Sequence, residues 1–386
     1  MTMERDELRH WLRLQLTPGV GNTTARKLLA ALGLPEQVFR AAPATLSQLV
    51  SAKQCAALRE EPEDLATLYD TTWRWLQADP ERHRVIPLGD AHYPTSLLQT
   101  EDPPLLLYAI GAASIWSQQF LGDCHARCLA MVGSRNPSAQ GQENARLFAR
   151  ELAQQGWTVV SGLALGIDGA AHVGALEGAQ PGGVATIAVV GTGLDRVYPR
   201  QHKALAHRIA EHGILLSEYP LGTPPLSANF PKRNRLISAL ARATLVVEAA
   251  LQSGSLITAR LALEQGKDVF AIPGSIHTPQ ARGCHALIKQ GAKLVESALD
   301  ILEELDGTAQ PVATSFVAPF NDFTGANEQY DDPLLSHLGS DPVGLDALLA
   351  RTGLETSLLQ AQLMALEIQG VVARLPGGLF QRVHRG

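Results

Sequence analysis

Residues 229–260 read NFPKRNRLISALARATLVVEAALQSGSLITAR, and this stretch decides the fold. Phe230-Pro231-Lys232-Arg233-Asn234-Arg235 sets three cations and an amide beside an aromatic ring. Pro231 suits the opening of a helix, because the first turn does not use its missing N–H, and the pattern predicts a helix from Arg235 to about Ala243. Thr244-Leu245-Val246-Val247-Glu248 is a β-branched apolar run of the kind found in buried parallel strands. It leads through Ser253-Gly254-Ser255 into Leu256-Ile257-Thr258-Ala259, which reads as the next helix. Strand, small-residue turn and helix start leave backbone N–H groups free at the positive end of a helix dipole, an arrangement that attracts anions. From Tyr219 to Val247 there is no Asp or Glu. A phosphate-bearing ligand is the natural expectation.

The same rhythm extends outward over about 128–300. Strands are expected at Cys128–Val132, Thr158–Ser161, Ala185–Val190, Ile214–Ser217, Thr244–Glu248, Asp268–Ile272 and Lys293–Val295. Helical spacing fills the gaps, as with Ala145, Phe148, Ala149 and Leu152. This alternation predicts a parallel sheet with right-handed crossovers and helices on both faces, and ligands bind such sheets outside the carboxyl ends of the strands. The turns expected there are Gly133-Ser134-Arg135-Asn136, the loop from Ser161-Gly162 to Gly166-Ile167-Asp168, Gly191-Thr192-Gly193 with Tyr198-Pro199, Ser253-Gly254-Ser255, and Pro273-Gly274-Ser275. Arg135 offers a planar fork suited to phosphate. One such turn says little, but several on one edge beside Lys232, Arg233 and Arg235 form a phosphate-binding surface. No Walker sequence occurs, which argues against a nucleotide triphosphatase. Asp168 with His172, and also Glu218, Glu248 and His285, are the acid–base candidates. Their favoured reading is structural: helix-terminus charge for Asp168, packing or hydrogen bonding for the histidines. No local nucleophile signature accompanies them.

The flanks differ from this core. Residues 1–80 read as helical, with Leu8, Trp11, Leu12, Leu14 and Leu16 opening an amphipathic pattern. Pro18-Gly19-Val20-Gly21 followed by a helix resembles a helix-hairpin-helix, which either presents N–H groups to a nucleic-acid phosphate or merely packs two helices. In the connector 81–104, Ile86-Pro87-Leu88-Gly89-Asp90 and His92-Tyr93-Pro94 read as turns, and Leu105–Gly111 reads as a strand joining the sheet. Residues 306–340 have the Ala, Thr, Pro, Asn and Asp content of a flexible linker. Over 341–386, two helical patterns and a hairpin around Pro376-Gly377-Gly378 resemble a winged helix-turn-helix. Its second helix carries Glu355, Gln360, Gln362, Glu367 and Gln369 but no cation, so a protein contact is favoured over duplex reading.

The totals are consistent with this division. The 386 residues are 45% hydrophobic, enough for two or three domains, and the net charge of −6 confines any nucleic-acid contact to a local stripe. Four cysteines are too sparse for a disulfide framework, and no second pair completes a zinc site with Cys124, His125 and Cys128. Neither a signal peptide nor the roughly 18 apolar residues of a membrane span is present, so a cytoplasmic protein is expected.

These motifs, in this order, resemble the DNA-processing protein A family (DprA, also called Smf). The resemblance is close over residues 85–300. It rests on Val132-Gly133-Ser134-Arg135, Ser161-Gly162 with Gly166-Ile167-Asp168 and Ala171-His172, Gly191-Thr192-Gly193 with Tyr198-Pro199, and Ser217-Glu218-Tyr219-Pro220. It continues through Phe230–Ile237, Val247-Glu248-Ala249, Ser253–Ala259 and Pro273-Gly274. The resemblance implies an α/β fold: a Rossmann-like parallel-sheet core, an N-terminal helical (SAM/helix-hairpin-helix-like) module and a C-terminal winged-helix-like module. It further implies binding of single-stranded DNA without strong sequence preference, a homodimer through the core, and loading of the RecA recombinase onto incoming strands in natural transformation. No cofactor, metal, catalysis or membrane is implied, and duplex binding stays open. Carried over by residue, Gly133, Ser134, Arg135, Lys232, Arg233, Asn234 and Arg235 would hold phosphates. Ser161, Gly162, Ser253, Gly254 and Ser255 would add donors, and Phe230 would lie near a base. A more distant resemblance, to lysine-decarboxylase-like (LOG) enzymes that cleave nucleoside 5′-monophosphates, is disfavoured. Gln252–Ala259 carries no acid where their PGGxGTxxE segment has its Glu.

Overall fold

The computed structural model describes residues 3–117, 120–122, 124–306, 333–338, 342–375 and 377–383. Its strands are β1 (His83–Pro87), β2 (Leu106–Gly111), β3 (Cys128–Val132), β4 (Thr158–Ser161), β5 (Thr186–Val189), β6 (Ile214–Ser217), β7 (Ala243–Val246), β8 (Asp268–Ala271) and β9 (Lys293–Leu294). They form one 9-stranded sheet in the order β1-β2-β6-β5-β4-β3-β7-β8-β9. Strands β3 to β9 pair in parallel, as the alternating pattern required. The Leu105–Gly111 run does join the sheet, but antiparallel to β6, and β1 extends it as an antiparallel edge. Ile86-Pro87, read as a turn, closes β1 instead. Proline is tolerated there because an edge strand has a side with no ladder to donate to.

Helices precede, alternate with and follow these strands. The N-terminal set is α1 (Arg5–Leu16), α2 (Asn22–Leu32), α3 (Pro35–Arg40), α4 (Pro43–Leu49), α5 (Ala52–Arg59) and α6 (Leu65–Ala78). The core set is α7 (Ala113–Ser117), α8 (Ala139–Gln154), α9 (Ile167–Gly178), α10 (Lys203–His212), α11 (Asn229–Leu240), α12 (Ser255–Glu264), α13 (Arg282–Lys289) and α14 (Ala298–Asp306). The period of two along each strand sorts the core into two layers. Leu129 and Met131 of β3 meet Phe148 and Leu152 of α8 and Ile301 of α14. Ala130 and Val132 lie instead with Leu236, Ile237 and Leu240 of α11.

The strand order also fixes where a ligand must go. β3 and β7 are neighbours, yet β3 leads to β4 on one side while β7 leads to β8 on the other. Successive connections diverge at this point, so a crevice opens beyond the carboxyl ends of β3 and β7.

At the amino end, Leu8, Trp11 and Leu12 of α1 and Leu65 of α6 pack on Val85, Leu106 and Tyr108 of the antiparallel edge. The turn between α1 and α2 has Gly19 at φ +77°, and its carbonyl accepts a 2.7 Å bond from Gln54 Nε2. Lys27 Nζ donates to the Leu49 carbonyl at 2.6 Å, and an Arg26 Nη1 donates to the Glu101 carbonyl at 3.2 Å. The cations nearest the turn thus donate to neighbouring backbone carbonyls.

At the carboxyl end are α15 (Pro333–Leu338), β10 (Val343–Gly344), α16 (Leu345–Thr352), α17 (Thr356–Ile368), β11 (Val372–Leu375) and β12 (Leu379–Arg382), with the strands ordered β10-β12-β11. Helices, hairpin and a third short strand make the winged-helix form. The expected linker over 306–340 falls largely outside the described residues. Within that span, Leu334, Leu335 and Leu338 are buried in the winged unit's apolar cluster, so this unit starts earlier than composition suggested. Among the described residues no helix is long and apolar enough to cross a membrane.

Candidate functional site

The crevice at the β3/β7 switch point holds a pocket of about 510 Å³. Gly133, Ser134, Arg135, Phe230, Arg233, Asn234, Ser253, Gly254 and Ser255 line it, so two turns and the start of α11, distant in sequence, converge there. Ser161, Gly162, Lys232 and Arg235 do not line it.

The loop after β3 is drawn tightly under the sheet edge. A side chain at Gly133 would place its Cβ 2.6 Å from Ile167 Cγ1 and 2.9 Å from the Glu248 carbonyl, so only glycine fits. Ser134 N–H donates to that same carbonyl at 2.7 Å, and Ser134 Oγ accepts the Asn136 N–H at 3.1 Å. The hydroxyl proton of Ser134 has no acceptor among the described residues. Arg135 is exposed, and its guanidinium carbon lies 5.8 Å from the centre of the Phe230 ring. Among the described residues Arg135 has no ion-pair partner.

The basic stretch behaves differently from its reading as a continuous cationic run. Helix α11 begins at Asn229, not Arg235, so Lys232-Arg233-Asn234-Arg235 lies on its first turns. Pro231 needs only to be in the opening turn, and an earlier start uses it equally well. Helical spacing then places Arg233 in line with Leu236, Ile237 and Leu240, on the buried stripe. Its guanidinium donates to the Gly162 carbonyl at 2.7 Å and also to the Val189 carbonyl. A Cβ at Gly162 would come within 2.4 Å of that guanidinium. Burial pulls the Arg233 pKa down to about 10, against the opposing pull of Asp168. Arg233 therefore forms the pocket floor and ties β4 to β5. Arg235 pairs with the buried carboxylate of Glu218, with Asp102 at 3.8 Å. Lys232 is exposed on α11 and makes no ion pair among the described residues.

On the opposite wall, Ser253 Oγ and Ser255 Oγ are 2.7 Å apart at the start of α12. Asn234 Nδ2 reaches toward the Gly254 carbonyl at 3.5 Å, linking this turn to α11. The expected donor Ser161 is fully buried, and its hydroxyl donates to the Met131 carbonyl at 2.7 Å, joining β4 to β3.

The acid–base candidates are engaged in holding the fold. Asp168, which also lines the pocket, accepts the Ala164 N–H at 3.3 Å; burial holds its carboxyl above the usual carboxylate range against the pull of Arg233. The Glu248 carboxylate accepts from Ser138 N–H and Ser138 Oγ at the start of α8, and burial raises its pKa. Thr186 Oγ1 donates to the Val159 carbonyl, so it accepts from His172 Nδ1–H at 2.7 Å. Burial pushes the His172 pKa down to about 3. His285 Nε2 is 2.9 Å from the Gly274 carbonyl.

Sequence reasoning passed over one neighbour of the site. The Tyr198 ring lies 5.5 Å from Phe230, centre to centre, although the two are far apart in sequence. Tyr198-Pro199 stands out in the sequence as a motif, but only the strand order brings it to α11.

Comparison with known proteins gives a consistent picture. A family model described as DNA recombination-mediator protein A matches residues 84–306, and one described as DprA winged helix domain matches residues 326–378. Protein Smf of Escherichia coli is 44% identical over 316 residues, covering 81% of this chain and 80% of that protein. The X-ray structure of DNA processing protein A from Streptococcus pneumoniae is similar to 79% of this chain and 99% of its own, with a TM-score of 0.62 and 35% identity. A structure of DNA processing protein A from Helicobacter pylori, described for its single-stranded DNA binding mode, is similar to 59% of this chain and 98% of its own, with a TM-score of 0.50 and 29% identity. The core match takes in every residue of the pocket at the β3/β7 switch point. The chain belongs to the DNA processing protein A family, DprA/Smf.

Proposed function

We propose that this chain binds single-stranded DNA across the carboxyl edge of its sheet, with little sequence preference and without turnover. One observation carries the reading: exposed Arg135, without an ion-pair partner among the described residues, lies against Phe230 at the mouth of the pocket at the strand-order switch point. A cation and a ring side by side suit a phosphate and its neighbouring base, and stacking does not depend on which base it is. Arg135 and Lys232 supply charge, Ser134, Ser253 and Ser255 supply hydroxyls, and the start of α12 supplies backbone N–H groups. Arg233 and Arg235 act from beneath, shaping the floor and flank. The single-strand binding described for the Helicobacter pylori relative supports this reading.

A binding role also suits the acids. Asp168, Glu218 and Glu248 are engaged with backbone, Arg235 and Ser138, which disfavours a nucleotide-cleaving reading. By family membership the proposal extends to a cytoplasmic homodimer formed through the core, which delivers the RecA recombinase onto incoming strands during natural transformation. Its working division is 1–80, 81–305, a linker that begins at 306, and a winged unit that takes in Pro333–Leu338 ahead of 341–386.

Competition against a fluorescent oligo-dT strand tests the binding. Unlabelled oligo-dT should displace it at far lower concentration than matched duplex. Arg135→Ala and Lys232→Ala should each weaken binding on the order of tenfold, the loss expected for one charge-assisted contact. Duplex competing as well as the single strand would overturn the proposal. So would absent binding together with consumption of adenosine monophosphate, which would favour the enzyme.

A further inference from the structure

The aromatic surface continues past the pocket. Tyr198 follows the Gly191-Thr192-Gly193 turn beyond β5, and its ring is tilted 40° to that of Phe230. It is 48% exposed, belongs to none of the apolar clusters, and its hydroxyl makes no hydrogen bond among the described residues. The backbone on either side is nonetheless anchored. Pro199 is buried, and Val197 packs with Leu205 and Ile209 of α10. Phe230 is held as firmly: a Cβ at Gly191 would already lie 3.1 Å from its ring, and Asn229 Nδ2 donates to the Gly191 carbonyl at 3.1 Å. Both rings are presented by fixed backbone, so little motion is lost when something stacks on them.

We infer that Tyr198 is a second stacking platform, taking a base of the bound single strand next to those that the pocket holds. The inference rests on the single-strand reading above. The rings of Tyr198 and Phe230 are already in contact, leaving no gap for a base between them. The incoming base therefore lies on the open face of Tyr198. Continuity with Phe230 and Arg135 makes the occupant a nucleic-acid base: the same surface carries the exposed cation that a phosphate requires. Stacking on a ring that offers no engaged polar edge extends the strand's footprint without adding sequence preference.

The experiment compares an oligo-dT strand with an abasic strand of equal length, which keeps the phosphates and lacks the bases. Wild type, Tyr198→Ala, Tyr198→Phe and Arg135→Ala are titrated at one salt concentration, after thermal unfolding shows matching midpoints for the Tyr198 variants. Tyr198→Ala should bind oligo-dT about fivefold to tenfold more weakly, the low end of a base–aromatic stack, and bind the abasic strand unchanged. Tyr198→Phe should match wild type on both strands, and Arg135→Ala should lose affinity for both. No loss on oligo-dT, equal loss on both strands, or failure of Phe to restore binding would overturn the inference. If Arg135→Ala still weakens binding in those cases, the single-strand reading survives alone. If wild type does not bind oligo-dT, both fall together.

Discussion

Arg233 shows how one residue's role changes with the start of its helix. Read as part of a basic run it is a phosphate ligand; on a helix that starts at Asn229 it occupies a core position. Its guanidinium joins the end of β4 to the end of β5 beneath the pocket, beside the buried Asp168. Arg233→Ala would leave the Gly162 and Val189 carbonyls buried without their donor and remove the positive charge near buried Asp168, costing about 1–3 kcal/mol for each carbonyl in urea unfolding. Arg233→Lys should not restore it, because a point charge cannot reproduce the fork. His172 gives a pH dependence whose sign follows from its burial. The unfolded ring takes a proton near 6.5, the folded ring only near 3, so acid favours the unfolded chain. The stability it contributes is complete above pH 6.5 and is lost as pH falls toward 3. Between pH 7 and pH 5 this amounts to roughly 2 kcal/mol, which His172→Gln should remove from the difference between urea midpoints at the two values. Asp168, Glu218 and Glu248, all held above the usual carboxylate range by burial, slope the other way. They are common to both proteins and cancel in the comparison.

At the scale of elements, the strands were the most legible part of the chain. Buried parallel strands need long β-branched and apolar runs, and Cys128–Val132 and Thr158–Ser161 were bounded in the sequence as they are in the structure. The edge strand β1 was missed because His83 and Arg84 are polar and Pro87 suggested a turn, features an edge tolerates. The packing of α8 on α9 was also invisible. Gly174 and Gly178, one turn apart on α9, lie so close to α8 that a Cβ would fall 2.0 Å from the Arg146 carbonyl and 2.1 Å from the Arg150 carbonyl. Nothing in either helix alone announces that contact; it depends on which helix crosses which. Gly174→Ala should force the pair apart and cost ~1–3 kcal/mol, read as a lower thermal midpoint. The same change at exposed Gly254, where a Cβ meets nothing within 4 Å, should cost much less.

Over the whole molecule, strand order turns a set of individually weak turns into a site. The sequence contained each turn but not their convergence, which exists because β3 and β7 are neighbours whose connections diverge. Residues contiguous in sequence, such as Lys232 to Arg235, were separated by the helix into rim, floor and flank. Residues remote in sequence, such as Tyr198 and Phe230, were brought together. Charge acts at this scale too. With a net charge of −6 the molecule offers no broad attraction to DNA, so the salt dependence of binding reports local contacts. The most direct measurement is the affinity for oligo-dT across a salt series, wild type against Arg135→Ala. Each phosphate neutralised adds about −0.7 to the slope of log affinity against log salt, so the variant's slope should be shallower by about that amount. An unchanged slope, with binding still tight, would place the strand somewhere other than the β3/β7 crevice.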